Sequence, residues 1–531
     1  MVGVPGKSKG CSTCRRRKKG CDQKRPVCGQ CASSGYVCGG YKRDRTFILH
    51  PASKAVEKAV FLPYARSIGA PVLGSLNQCA VQSQCRSLFW DLYMPQGDCV
   101  VRDAFLLNCG HPMNWTELIQ KVSKQERPLE DAFSALSISR VGQANNDVRL
   151  VRESTKVYGR ALKELQGALI DPTRMYSDHI LMACMLLGLY ELFEGPGLHS
   201  LNWVAHAQGA ARLIELRGPE RHQHWDAHHP FLASRIPTVY AAILQRKSTY
   251  LATEEWLTIP WAQQRHKTYF DRLVDSVTMI PGLMEKFDIL RESNSDIGEE
   301  LVELLGECKT VQLHMDRWRD GTKKGATPRV QKHDPNDNDD YPFGTDLWFE
   351  NHLFVHARVV YYAASLVLAE VADDIIQAIE LRGHKLPPSI KPVTLKDLLN
   401  AERYAANICR TVTYCLQPEM GAWGANIVNF PANLAYIYFQ RIGRTDATSW
   451  LEKMFETVKQ RGVHAETVPG WLFGDAQAKE EHTYHVKRES STESGGSGDS
   501  PGSSQSISSA VTTFVYEDPS KGYYVASDDP D

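Results

Sequence analysis

The chain runs to 531 residues, 42% hydrophobic and 23% charged, an ordinary globular composition too long for one small domain, so two to four domain-sized units are expected. The net charge of −1 hides two opposed ends: residues 1–50 carry 12 Lys and Arg against Asp22 and Asp44, and residues 489–531 carry 8 Asp and Glu against Lys521. Neither a secretory leader nor a membrane span is expected, because no apolar region follows Lys7 and Lys9 and the longest apolar run, 180–193, is short and holds Glu191.

The basic end contains CSTCRRRKKGCDQKRPVCGQCASSGYVC. Six of the 14 cysteines lie here, at Cys11, Cys14, Cys21, Cys28, Cys31 and Cys38. The second trio is the first displaced by 17 residues, so the spacing C-x2-C-x6-C occurs twice. In a reducing compartment clustered cysteines bind metal more often than they pair as disulfides. Zinc takes four tetrahedral ligands and favours thiolates. Six cysteines suffice for one zinc with two left over, or for two if two sulfurs bridge; the repeat favours two. Each C-x2-C pair occupies one face of a short helical turn, and Gly20 and Gly35 each suit a left-handed helix stop. So small a segment buries too little to fold alone, and metal binding is expected to drive its folding. Only the first half is charged: Arg15, Arg16, Arg17, Lys18 and Lys19 map onto Ala32, Ser33, Ser34, Gly35 and Tyr36.

RRRKK after the second cysteine, Asp22 after the third and Pro26 before the fourth resemble the Zn2Cys6 binuclear cluster domain of fungal transcription factors, over roughly residues 8–40. The resemblance implies two Zn2+ ions, six cysteine ligands with Cys11 and Cys28 bridging, and a first helix whose basic end enters the DNA major groove at a CGG-like triplet. Many members carry Lys where this chain has Gly20. Arg and Lys donate to guanine O6 and N7 and to phosphates. Lys18 and Arg17 are the expected base readers, and Arg15, Arg16 and Lys19 the expected phosphate contacts. A nuclear import signal is the alternative use of the same run.

YKRDR (41–45) continues the basic arm, and residues 46–80 read as a linker without a sustained heptad. A homodimer is therefore not supported by a coiled coil. From 81 to 475 helical periodicity dominates, with segments at 129–142, 147–169, 176–193, 201–216, 297–318, 346–382, 396–415 and 431–441. The helix ending in RLIELRGPE stops at Gly218-Pro219. DAFSALSISRVGQANNDVRLVRESTKVYGRALKELQGAL, and LMACMLLGLYELF paired with WVAHAQGAARLIELRGP, resemble the all-helical fungal-specific transcription factor domain. That resemblance implies a regulatory body that binds a small-molecule effector or a partner, with no effector residue assigned.

Other features are read more plainly. RHQHWDAHHP (221–230), with His222, His224, His228 and His229, is expected to be a solvated loop rather than a metal site. KHDPNDNDDYPFGTD (332–346) lacks the glycine and the final acid of a calcium loop and is expected to be a flexible acidic loop. Cys184, Trp203 and Trp423 are expected to pack in the core. No phosphate loop, dinucleotide fingerprint, nucleophile elbow or HExxH is present, so no enzyme and no catalytic residue is expected. Residues 476–531 read as a disordered Ser/Gly-rich acidic tail whose aromatics, Phe514, Tyr516, Tyr523 and Tyr524, suit a coactivator. The expected whole is a small Zn2Cys6 cluster (1–45), a large all-α body (81–475) and that tail. It reads as a nuclear, DNA-binding regulator of RNA polymerase II genes; the alternative is a zinc module for protein contact or non-specific DNA binding.

Overall fold

The computed structural model describes residues 11–24, 27–38, 78–100, 119, 126–194, 202–263, 267–293, 297–321, 327–333, 340–384 and 398–460. The chain divides into two compact units, Met1–Leu62 and Pro63–Asp531. Of the expected linker over 46–80, residues 46–77 lie outside the described residues, as does the acidic tail, while residues 78–80 already belong to a helix.

The first unit holds two one-turn helices, α1 (Ser12–Arg16) and α2 (Gly29–Ser33). Its buried core is Cys11, Cys14, Cys28 and Cys31, with Cys21 and Cys38 packed against it.

The second unit is helical. Its first group comprises α3 (Gln78–Tyr93), α4 (Arg127–Ala144), α5 (Val148–Ile170), α6 (Asp178–Glu194), α7 (Asn202–Arg217) and α8 (Trp225–Gln245). α5 shows the amphipathic stripe expected of a surface helix, burying Leu150, Ser154, Val157, Tyr158, Ala161, Leu165 and Ala168. α4 is buried almost all round and packs on α3, α5 and α6. Two of its buried serines bond back into their own helix, Ser134 Oγ donating to the Glu130 carbonyl at 2.7 Å and Ser137 Oγ to the Phe133 carbonyl at 2.6 Å, while Ser139 Oγ donates to Glu194 on α6. α7 ends at Arg217 because Gly218 turns left-handed (φ 77°) ahead of Pro219.

Short helices α9 (Glu254–Thr258), α10 (Tyr269–Val277) and α11 (Ile280–Glu292) lead into α12 (Gly298–Asp320). A capping box between Thr268 and Asp271 starts α10. Arg329–Lys332 (β1) and Thr345–Trp348 (β2) then form a two-stranded antiparallel sheet, with Val330 opposite Leu347. Thus the helix expected from 346 begins only at His352, where the Asn351 side chain caps it. That helix, α13 (His352–Leu381), is the buried spine of the second group. It packs against α12, α14 (Ala401–Cys415) and α15 (Gly421–Arg441), and α16 (Thr445–Gln460) covers α15.

The histidine-rich stretch is not a solvated loop. It makes the turn Pro219–Gln223 and the start of α8, and His222, His228 and His229 are buried. His222 packs against Phe231 and Trp256, and its Nδ1 lies 3.0 Å from the Ala227 carbonyl. Burial pushes His222 and His229 down to about 4 and lowers His228, so all three are neutral and pack as aromatic rings. The acidic stretch is structured at its ends: buried Asp346 lies on β2, 2.7 Å from His333 Nδ1. Cys184 is a core residue whose thiol donates to the His206 carbonyl at 3.3 Å, and Trp423 is buried. Among the described residues, no helix is long and apolar enough to cross a membrane.

Candidate metal centre and nucleic-acid interface

The repeat seen in the cysteines is also a repeat in the backbone. The Cys14 N–H donates to the Cys11 sulfur at 3.3 Å, and the Cys31 N–H donates to the Cys28 sulfur at 3.3 Å. Both helices then close alike. Lys19 N–H donates to the Cys14 carbonyl at 3.0 Å, and Tyr36 N–H to the Cys31 carbonyl at 3.0 Å. The residue wrapped by each bond is left-handed: Lys18 at φ 53° and Gly35 at φ 65°. This is a Schellman-type closure. Gly35 fills the role expected of it. Gly20 does not, because Lys18 has already turned the chain; a non-glycine residue there carries a strain of roughly 1 kcal/mol.

Other contacts join the halves. Thr13 Oγ1 donates to the Val37 carbonyl at 2.9 Å. The Arg17 guanidinium lies 3.8 Å from the centroid of the Tyr36 ring, a cation–π stack. Asp22 accepts the Gly29 N–H on both carboxylate oxygens, at 2.9 and 3.0 Å, and a Cβ at position 29 would sit 2.6 Å from that carboxylate. Sequence reasoning passed over Thr13, Gly29 and Tyr36; only the position of Asp22 after its cysteine hinted at them.

The sulfurs form two overlapping quartets, Cys11/Cys14/Cys21/Cys28 and Cys11/Cys28/Cys31/Cys38, each with all ligand atoms within 4.8 Å of one another. Cys11 and Cys28 belong to both. A zinc–sulfur bond of 2.3 Å in a tetrahedron sets its ligand sulfurs about 3.8 Å apart. The sulfur–sulfur edges agree: Cys11–Cys28 and Cys14–Cys28 at 3.6 Å, and Cys11–Cys31 at 3.7 Å. Burial, with hydrogen bonding to Cys11, pushes the Cys14 thiol up to about 12, and burial raises Cys28 and Cys31 as well. Thiolates so enclosed need a multivalent cation beside them. Among the described residues no other group of three or more His, Cys, Asp or Glu closes as a metal site.

Of the basic run, Arg15 and Arg16 lie on α1, Arg17 is stacked on Tyr36, and Lys18 and Lys19 are exposed beyond the helix. The run and the metal centre thus form one small body.

A family model described as the fungal Zn(2)-Cys(6) binuclear cluster domain matches residues 9–46. A second, the fungal specific transcription factor domain, matches residues 101–374, just over half the chain. The chain is also similar to the uncharacterized protein AN5342 of Emericella nidulans, at 25% identity over 223 residues, 40% of this chain and 47% of that protein. It therefore spans about half the length of that relative. No solved structure matches. With its thiol-rich centre and helical body, the chain belongs to the fungal Zn(2)-Cys(6) transcription factors, a zinc-binding, DNA-binding and non-enzymatic family of regulators whose usual place is the nucleus.

Proposed function

We propose that the chain is a sequence-specific regulator of RNA polymerase II genes whose first cluster helix reads a CGG-like triplet in the major groove. Six cysteines hold two Zn2+ ions, with Cys11 and Cys28 as bridges. The observation that carries this is the pair of sulfur quartets sharing those two residues. Lys18, exposed at the turn that ends the basic helix, is the base reader beside Arg17; Arg15, Arg16 and Lys19 hold phosphates. The uncharged second half is scaffold.

Selection from random DNA by the full chain tests the reading and is expected to enrich a CGG-containing site. Lys18→Ala should relax preference at one base, whereas loss of a phosphate contact weakens all sequences alike. Equal loss on cognate and scrambled DNA would remove Lys18 from base reading. A second reading, protein contact through the cluster, is favoured by exposed Val27, Tyr36 and Val37. It is distinguished by a flat salt dependence, because phosphate contacts make affinity fall steeply with salt. The acidic tail is proposed as a coactivator segment. Fused to an unrelated DNA-binding domain, it should switch on a reporter.

A further inference from the structure

The helical body contains a partly open cavity of about 220 Å³ lined mainly by α6, α7, α8 and α15, with Tyr93 of α3 and His356 of α13. A single water needs about 10–15 Å³ on the same measure, so this is no packing defect of one or two waters. Well-packed interiors carry few such spaces.

Its wall is apolar and aromatic. Trp203 and Tyr240 both pack on Phe430, the latter stacked at 4.1 Å between centroids, and Trp423 adds a further ring. Small residues line it on α7, Ala207 and Ala210, and Gly188 lets α6 approach α7 closely, since a Cβ there would lie 3.1 Å from His206 Cβ. Among the described residues, no Asp, Glu, Lys or Arg lines it. Its two histidines carry no charge either, since burial pushes His206 down to about 4 and His356 to about 3. His206 Nε2 meets the Tyr158 hydroxyl at 3.3 Å, and that hydroxyl donates to buried Glu191. The Glu191 carboxylate is thus satisfied behind the wall.

Polar groups remain at two places. Pro237 lies inside α8 and Pro431 inside α15. A helix proline has no N–H for the carbonyl four residues earlier. Those carbonyls belong to Ala233 and Ile427, and both residues line the cavity. Asn429 and Asn433 on α15 add amide groups.

We infer that this cavity is an effector site for a neutral, flat, largely apolar small molecule carrying a hydroxyl or amino group. A carboxylate or phosphate ester would lose its hydration there without gaining a cation. The ring system is held by Trp203, Phe430 and Trp423, and its donor group is met by a freed backbone carbonyl or an asparagine oxygen. The site rests on the packing of the body and is independent of which DNA the head reads.

The test uses the full zinc-loaded chain and 1-aminoanthracene, a neutral three-ring amine whose emission is sensitised by nearby tryptophan. Saturable binding at one equivalent is expected, with the charged isostere anthracene-1-carboxylate at least tenfold weaker. Ala210→Phe, which fills the space from α7, should weaken binding at least tenfold while melting as the wild type does. Should that variant unfold, Trp203→Phe decides instead: it keeps the ring and should cut tryptophan-sensitised emission by about a third or more, with affinity within twofold of wild type. No saturable binding, equal binding of the anion, a folded Ala210→Phe that binds normally, or unchanged sensitised emission in Trp203→Phe would each overturn the proposal. DNA binding of the head is measured in parallel and should be intact in both variants.

Discussion

The head and the body of this protein solve the folding problem by opposite means. The body buries a continuous core of aliphatic and aromatic side chains, from Val81 on α3 to Val458 on α16. The head buries four cysteines and has two more packed against them. Apolar burial is worth about 25 cal/mol per Å² and accumulates over many residues. A structural zinc site concentrates on the order of 10 kcal/mol or more in four ligands. The lesson is where each part fails: the body degrades by increments, and the head through single sulfurs.

The largest expected effect follows directly. A strong chelator should unfold residues 11–38 and abolish specific DNA binding while leaving the thermal transition of the body in place. Circular dichroism and differential scanning calorimetry on the same sample check this. A chelator that lowers the body's transition as much as it abolishes DNA binding would break the comparison.

Next in size is a difference between cysteines. Cys28 belongs to both sulfur quartets and Cys38 to one. Cys28→Ser should bring zinc content close to none, and Cys38→Ser to about one ion per chain, as read by elemental mass spectrometry. Equal zinc loss in the two variants would remove the bridging assignment.

Acid should separate the parts further. Burial holds His206, His222, His229 and His352 near 4 and His356 near 3, against about 6.5 in an unfolded chain. Between those values the unfolded state binds more protons. The stability from burying neutral rings is therefore complete above about pH 6.5 and is lost as pH falls toward 4. The melting temperature of the body should drop across that window, at about 1 °C per kcal/mol lost for a unit of this size. Added zinc should not repair it. The head also weakens in acid as its thiolates take up protons, and there excess zinc should compensate.

The smallest effect lies within the head. Lys18 and Gly35 share a left-handed backbone. Lys18→Gly should stabilise the zinc-loaded head by about 0.5–1 kcal/mol, and Gly35→Ala should cost about as much. Zinc-competition titration reads both. Lys18→Ala leaves the strain in place, so pairing it with Lys18→Gly separates the loss of a reader from the relief of a turn.

What could be read in advance differs in the same way. The head was legible because metal ligation fixes residue type and spacing locally, and the charge difference between halves stands in plain view. The amphipathic helix α5 was legible because one face is apolar and the other is not. The start of α8 was not, because its histidines and Pro230 look like a polar loop, whereas in place His222 and His228 pack on Phe231, Trp256 and Trp261. β2 was absorbed into the helix that follows, since four residues are too few to show a period. The Lys18 turn was assigned to Gly20 on residue preference alone. The cavity could not be seen at all, because lining residues such as Cys184 and Phe430 are remote in sequence and share one space only in the folded body.

The shared backbone of the two halves has a consequence for engineering. Residues 15–19 and 32–36 are interchangeable parts: each segment follows a C-x2-C pair, ends in the same closure and turns on a left-handed residue. Exchanging RRRKK with ASSGY would put Arg at 34 and Tyr at 19, the positions that the 17-residue repeat makes equivalent to Arg17 and Tyr36. Gly35 already has the main-chain angle that Lys18 adopts. The head is thus symmetric in its main chain and polar in its charge, and five paired exchanges would reverse its polarity without moving a sulfur.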